Sequence, residues 1–297
     1  MPKKFIKATT SWFVRILPHR AVSLCRHVWH FARIRAYRAN TTLVVPHSGP
    51  VFVLGNQKSG TTVIAVLLAR HAGMTITNDM KIEVIEPLYP RVLTGTLSMD
   101  QVVKRRSIDF SRDLIKEPNL TLLFPQLEEL WPKSRFLFIV RDPRDNIRSL
   151  LDRLALPGNQ ADLSSEQWNA VPDSWKRAID GSWLGICGHN YIEHIALRWN
   201  AFVDVYFNNC DRMVLVRYED FVREPEATVF TLADQLGLEH LSSISNLVHV
   251  QYKERGNRDV NWHDFYGIEN HNRIAKICGS RMIRFGYEIG AANDSLE

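Results

Sequence analysis

Residues 51–62 read Val-Phe-Val-Leu-Gly-Asn-Gln-Lys-Ser-Gly-Thr-Thr, a β-forming run that breaks at a glycine-flanked turn and passes directly into the helical pattern of 63–70. Such a turn lets backbone N–H groups converge on an anion at a helix N-terminus, where Lys58, Ser59, Thr61 and Thr62 add a cation and three hydroxyls. A nucleotide-hydrolysing P-loop places its lysine directly after the second glycine, with a Ser or Thr behind it for magnesium. Here the lysine precedes Gly60 and Thr61 follows it. The segment reads as a phosphate cradle without the usual ATPase apparatus.

A second anion site is expected where the apolar strand 136–140 runs into Arg-Asp-Pro-Arg-Asp-Asn-Ile-Arg-Ser, residues 141–149. Arg141 offers a fixed fork of donors to a phosphate, and the Ser149 hydroxyl, eight residues on in the next helix, is placed to close on the same ligand. Two phosphate sites imply a bisphosphorylated nucleotide. Apolar periodicity predicts strands over 51–54, 74–77, 113–116, 136–140 and 213–216, and helices over 62–71, 125–131, 146–153, 191–208, 225–236 and 271–285. This alternation predicts a three-layer α/β fold: a central, mostly parallel sheet with helices on both faces. Both phosphate loops leave carboxyl ends of strands, where ligands of such sheets bind. Residues 156–190 are the one long irregular stretch and a candidate functional loop.

The chain of 297 residues, 45% hydrophobic and 23% charged, is long enough for one large α/β domain. We expect an N-terminal segment over 1–48, the domain over 49–290 and a tail over 291–297. Cys25, Cys187, Cys210 and Cys278 are scattered without metal-ligand spacing, which argues against a zinc site or a disulfide framework. Nine of the 37 Lys and Arg but none of the 32 Asp and Glu lie in residues 1–50, so the net charge of +5 belongs to the N-terminus. From residue 19 onward that segment has the pattern of a basic amphipathic helix. It is read either as a peripheral contact of residues 1–40 with an anionic membrane surface, as a helix packed on the domain, or as an organellar transit peptide. With apolar runs too short to span a bilayer, a cytoplasmic protein is expected, membrane-peripheral under the first of these readings.

The two anion motifs resemble those of the sulfotransferases that use 3′-phosphoadenosine-5′-phosphosulfate (PAPS). Lys58-Ser-Gly-Thr-Thr62 is similar to their loop for the 5′-phosphosulfate, and Arg141 with Ser149 to their 3′-phosphate motif. The segments Val216-Arg-Tyr-Glu-Asp-Phe221 and Arg284-Phe-Gly-Tyr287 extend the resemblance over residues 51–288. It implies a P-loop NTPase-like sulfotransferase fold, PAPS as co-substrate with no metal required, and transfer of a sulfuryl group to a hydroxyl. It also implies that Lys58 neutralises charge on the leaving oxygen, that Tyr218 lies near adenine, and that Arg255 and Gly256 close over the 3′-phosphate, although the full Arg-Lys-Gly of that loop is absent and Arg258 is an alternative.

For the base the family divides. Cytosolic members carry a Lys-x-His where this chain has Lys116-Glu117-Pro118, whereas carbohydrate sulfotransferases use a glutamate after the first helix, often in a Glu-Pro pair, matched here by Glu86-Pro87. Glu86 is therefore the expected base with Glu83 in reserve, Lys116 an additional cation near the sulfuryl group, and a saccharide or glycolipid the expected acceptor. Trp168, Trp175 and Trp183 are candidates for stacking on it or for packing a lid. The rival readings are a P-loop kinase or NTPase and a non-catalytic membrane- or RNA-binding protein acting through the basic N-terminus; no nucleic-acid partner is expected.

Overall fold

The computed structural model describes residues 44–250, 252 and 261–289, together with Ile34, Arg35 and Tyr37. Five strands, β1 (Val51–Gly55), β2 (Ile76–Asn78), β3 (Leu114–Lys116), β4 (Arg135–Val140) and β5 (Met213–Arg217), form one sheet in the order β2-β3-β1-β4-β5. Every pairing is parallel, with Val53 opposite both Lys116 and Leu137, and Ile139 opposite Val216. From β1 the chain crosses to the edge strand β2, returns to β3 beside β1, and then passes to β4 and β5 on the other side, a reversal that opens a crevice at the carboxyl ends of the central strands.

Side chains alternate between two cores because successive residues of a strand face opposite sides. Val51, Val53, Leu137 and Ile139 pack with α1 (Thr61–His71) and a later helix, Pro225–Gln235. Phe52, Leu54, Phe136 and Phe138 face the other layer, with the helices Pro143–Leu154, Tyr191–Asn208 and Trp262–Arg284. The Phe52 ring stacks on Phe136 at 5.4 Å and tilts against Trp131 at 5.3 Å. Burial of each such ring contributes about 2–3 kcal/mol, so the expected three-layer architecture is secured from both faces of the sheet.

Several elements differ from their sequence expectation. Helix Trp262–Arg284 starts nine residues before the expected 271, with a kink at Gly267, whose φ of 65° breaks the helical apolar period. The expected irregular stretch 156–190 contains two short helices, Ser165–Ala170 and Asp173–Ile179, and a 3₁₀ turn, Ser182–Leu184. Between β2 and β3 run a 3₁₀ turn, Lys81–Val84, and the short helices Tyr89–Leu93, Met99–Arg105 and Ser107–Phe110.

The expected basic helix from residue 19, the tail 291–297, and Arg255, Gly256 and Arg258 lie outside the described residues. Tyr37 shows where the N-terminal segment meets the domain. Its hydroxyl donates to Asp109 at 2.6 Å, and its ring lies 5.6 Å from the buried Arg106 guanidinium. Among the described residues no helix is long and apolar enough to cross a membrane.

Candidate functional site

The loop between β1 and α1 adopts a conformation that the sequence motif only hints at. Lys58 and Gly60 both have positive φ, 69° and 83°, which turns the chain so that α1 begins with no side-chain cap at its N-terminus. Gly60 is needed twice over: its φ disfavours any L side chain, and a Cβ there would meet the Tyr218 ring at 2.2 Å. Asn146 clamps the loop by donating to the Gln57 carbonyl at 2.8 Å and to Ser59 Oγ at 2.9 Å. Ser59 is thus buried and engaged with Asn146, while Lys58, Gly60, Thr61 and Thr62 line a cavity of about 760 Å³.

Arg141, Ser149 and Tyr218 line the same cavity. Arg141 leaves β4, donates to the Lys58 carbonyl at 3.0 Å, and holds its guanidinium 4.7 Å from the centre of the Tyr218 ring. One side chain thereby ties the two anion motifs and the tyrosine into a continuous wall. Asp142, in the position a kinase would use for a metal, is 5% exposed and instead grips Arg144 through both oxygens at 3.0 and 2.6 Å while capping the next helix. The Tyr287 hydroxyl donates to Glu219 at 2.8 Å, and Glu219 in turn accepts from the Asp142 amide at 3.0 Å, which joins the two late segments of the motif set beneath this wall.

The two glutamates of the Glu-Val-Ile-Glu-Pro segment part company. Glu86 accepts from Arg106 at 3.1 and 3.2 Å, and the same guanidinium holds the Glu86 carbonyl at 2.8 Å. Glu86 is not among the cavity-lining residues, whereas Glu83 is. Glu83 is 7% exposed. One of its oxygens accepts the backbone amides of Leu88 and Tyr89; the other has no hydrogen-bond partner and lies 3.6 Å from Arg106. Burial pushes its pKa up to about 7, more than the two amides and Arg106 pull it down. The reserve glutamate is therefore the one placed in the cleft.

Lys116, at the end of β3, is 2% exposed, lines the cavity and pairs with Asp79. Beside it Glu117 is buried and its pKa raised by that burial, with both oxygens occupied: one accepts from Asn119, the other from the Met80 amide at 3.0 Å. Val84, Pro87, Leu93, Trp175 and Trp183 form the apolar part of the same lining, here its apolar arm, alongside the charged Lys81 and Arg177. The Trp183 indole donates to the Arg177 carbonyl at 2.8 Å, leaving its ring as the contact surface. Trp168 is not in this lining; it packs against the core beneath Lys176.

Trp199 and Phe202 are core residues, fully buried as their helical spacing suggests. One residue before Trp199, on the Phe202 side of the helix, Arg198 also lines the cavity while 1% exposed. Nothing in the local sequence marks it, because a charge inside an apolar helix normally faces solvent.

Residues 87–242 match the sequence model of the Sulfotransferase family, a span that takes in Lys116, Arg141, Ser149 and Tyr218 and begins after the Lys58 loop. No curated protein matches the chain. Among solved structures it is similar to the sulfotransferase STF9 from Mycobacterium avium, with a TM-score of 0.51 and 13% identity over 86% of this chain and 82% of that one. It is also similar to a sulfotransferase from Alicyclobacillus acidocaldarius, with a TM-score of 0.48 and 14% identity over 81% and 96% of the two chains. A mouse sulfotransferase, SULT7A1 complexed with PAP, gives 0.45 and 15% over 83% and 89%. The matched span is more than half of the sequence, and the chain belongs to the sulfotransferase family.

Proposed function

We propose that this sulfotransferase takes its sulfuryl group from PAPS and passes it to a hydroxyl of a saccharide or glycolipid, with Glu83 as the base. The observation that carries this reading is the Arg141 side chain, which joins the Lys58 loop and Tyr218 on one cavity. A nucleotide with phosphates at both the 5′ and 3′ positions matches two anion sites at the ends of neighbouring parallel strands.

In this reading the N-terminus of α1 and the Thr61 and Thr62 hydroxyls hold the 5′-phosphosulfate, Arg141 and Ser149 hold the 3′-phosphate, and Tyr218 flanks the adenine. Arg255 and Gly256 remain our candidates for closing over the nucleotide. The acceptor hydroxyl approaches from the apolar arm. Its oxygen forms a bond to sulfur as the bond from sulfur to the 5′-phosphate oxygen breaks, and its proton passes to Glu83. Lys58 neutralises the charge that grows on the departing oxygen, with Lys116 as a further cation on the acceptor side. A carboxyl near pKa 7 is matched to proton acceptance at neutral pH. Glu86 acts through Arg106, which it orients. The tryptophan faces and the aliphatic wall support an acceptor with an apolar body, which favours the glycolipid half of the expectation. The basic N-terminus, read as a peripheral contact of a cytoplasmic protein with an anionic membrane, suits such an acceptor.

The test has two arms. 3′,5′-ADP should raise the melting temperature far more than ATP, since ligand at a hundredfold excess over Kd stabilises by about 2.7 kcal/mol, and Arg141→Ala should abolish that preference. Equal stabilisation by ATP would turn the assignment towards a kinase or NTPase. In the second arm, labelled PAPS is offered with octyl glucoside, glucose or 4-nitrophenol; transfer to octyl glucoside in preference to glucose is expected, and preference for glucose refutes the apolar arm as the acceptor site.

A further inference from the structure

The Arg198 guanidinium lies against the loop that carries Lys58, the donor loop of the proposed reaction, and lines the same cavity. It donates to Asn56 Oδ1 and to Gln57 Oε1, both at 2.5 Å, the two residues immediately before Lys58. Arginine can only donate, so these amides must present their oxygens to it, and their NH₂ groups must point onward. Asn56 donates to Asn146 Oδ1 at 3.2 Å, which leaves the Asn146 amide nitrogen for the Gln57 carbonyl and Ser59. Gln57 donates to Asn119 Oδ1 at 2.7 Å, Asn119 donates to Glu117 at 3.0 Å, and the other Glu117 oxygen receives the Met80 amide. Met80 directly precedes the turn Lys81–Val84 that carries Glu83. A single buried cation thus sets the polarity of two hydrogen-bond chains, one around the donor loop and one across to the base.

Stability gives no reason for an arginine here. Among the described residues no carboxylate forms an ion pair with Arg198, its Nε has no hydrogen-bond partner, and burial lowers its pKa to about 9. A buried charge without a counter-charge is costly, and an apolar side chain of similar size would fill the same helix face more favourably. The Phe202 ring, 4.3 Å from the guanidinium, offsets part of that cost.

Building on the sulfotransferase reading, we propose that Arg198 is a positioning residue for sulfuryl transfer: through Asn56, Gln57, Asn119 and Glu117 it holds Lys58 and the Glu83 turn in one catalytic register. It acts through these neighbours. Its loss therefore acts mainly on the step in which Lys58 and Glu83 must be aligned together, and less on nucleotide capture by α1 and Arg141.

The experiment measures kcat and KM for PAPS with whichever of octyl glucoside, glucose and 4-nitrophenol accepts sulfate, for the wild type and Arg198→Met, together with stabilisation by 3′,5′-ADP. The expected result is a kcat lower by roughly 10- to 100-fold, the scale on which misplacement of reacting groups is felt, with KM for PAPS within threefold and stabilisation by 3′,5′-ADP retained. Asn119→Ala, at the half-buried end of the chain, breaks only the link from Gln57 to Glu117. It should show the same kcat-selective loss even where Arg198→Met does not fold. Unchanged kcat in a folded variant, or a loss that falls on KM alone, overturns the inference while leaving the PAPS reading intact. A wild type that binds no 3′,5′-ADP and transfers sulfate to none of the three overturns that reading and the inference with it.

Discussion

Replacing Glu83 by glutamine should make the protein more stable and much less active, and both effects follow from one buried carboxyl. Its folded-state pKa of about 7 lies above its ordinary value of 4.5. Folding therefore favours the protonated form. This contribution to stability is fully present below about pH 4.5 and is lost as pH rises through 7. Taking those two values, ionisation of the buried group costs the wild type about 1 kcal/mol at pH 5 and about 3 kcal/mol at pH 7 and above. Glutamine avoids that cost. Its oxygen can still accept the Leu88 and Tyr89 amides, and its NH₂ takes the place of the oxygen that has no hydrogen-bond partner and lies 3.6 Å from Arg106. Urea unfolding of both proteins at pH 5, 6, 7 and 8 should show the variant gaining on the wild type by about 2 kcal/mol between pH 5 and 7 and little beyond. Sulfate transfer should fall on the order of 10²- to 10⁴-fold, the usual contribution of a general base, with 3′,5′-ADP binding preserved. In the wild type, transfer should rise with pH to a plateau above about 7. A stability difference that does not change with pH would refute the buried, neutral carboxyl; near-normal turnover would refute its role as base.

Three other substitutions probe the remaining parts of the site. Glu86→Gln leaves Arg106 its bond to the Glu86 carbonyl, so sulfate transfer should stay within about tenfold of wild type; a loss as large as that of Glu83→Gln in the same assay would restore Glu86 as the base. Lys58→Ala removes a charge that we propose serves both bound nucleotide and transition state, so calorimetric affinity for 3′,5′-ADP and kcat should both fall, whereas a loss confined to KM would mean uniform binding only. Gly60→Ala sets a methyl group against the Tyr218 ring in a backbone conformation that disfavours it. It should abolish most of the thermal stabilisation by 3′,5′-ADP, and a variant that responds like wild type would show that the loop re-forms on binding.

The strands were legible to within about two residues because a parallel strand covered on both faces reads as an uninterrupted apolar run. Phe136-Leu-Phe-Ile-Val140 is followed by Arg-Asp-Pro, and the strand ends there. Local capping signals were also present but lay under weak periodicity. Ser98 with Gln101 and Ser164 with Gln167 are both reciprocal capping boxes that open short helices, and each helix is too short to show an apolar stripe of its own. At Gly267 the problem is reversed: two well-patterned helical pieces meet at a residue of φ 65°, so the period restarts and the first piece is lost.

Within the site, local pattern names residue types and tertiary contacts assign their work. Glu83 and Glu86 stand three residues apart in one short segment, and both read as available acids. What separates them is Arg106, some twenty positions later and fully buried, which takes the Glu86 carboxylate at 3.1 Å and leaves the cleft to Glu83. Arg198 is a sharper case. On a helix whose neighbouring Trp199 and Phe202 mark the core, a cation would be assigned to solvent. It is buried because the donor loop supplies two amide oxygens at the height of its guanidinium, and that loop is a hundred and forty residues away in sequence. The motif therefore suggests an anion, while the residues proposed to align it come from long-range pairings that no local pattern encodes.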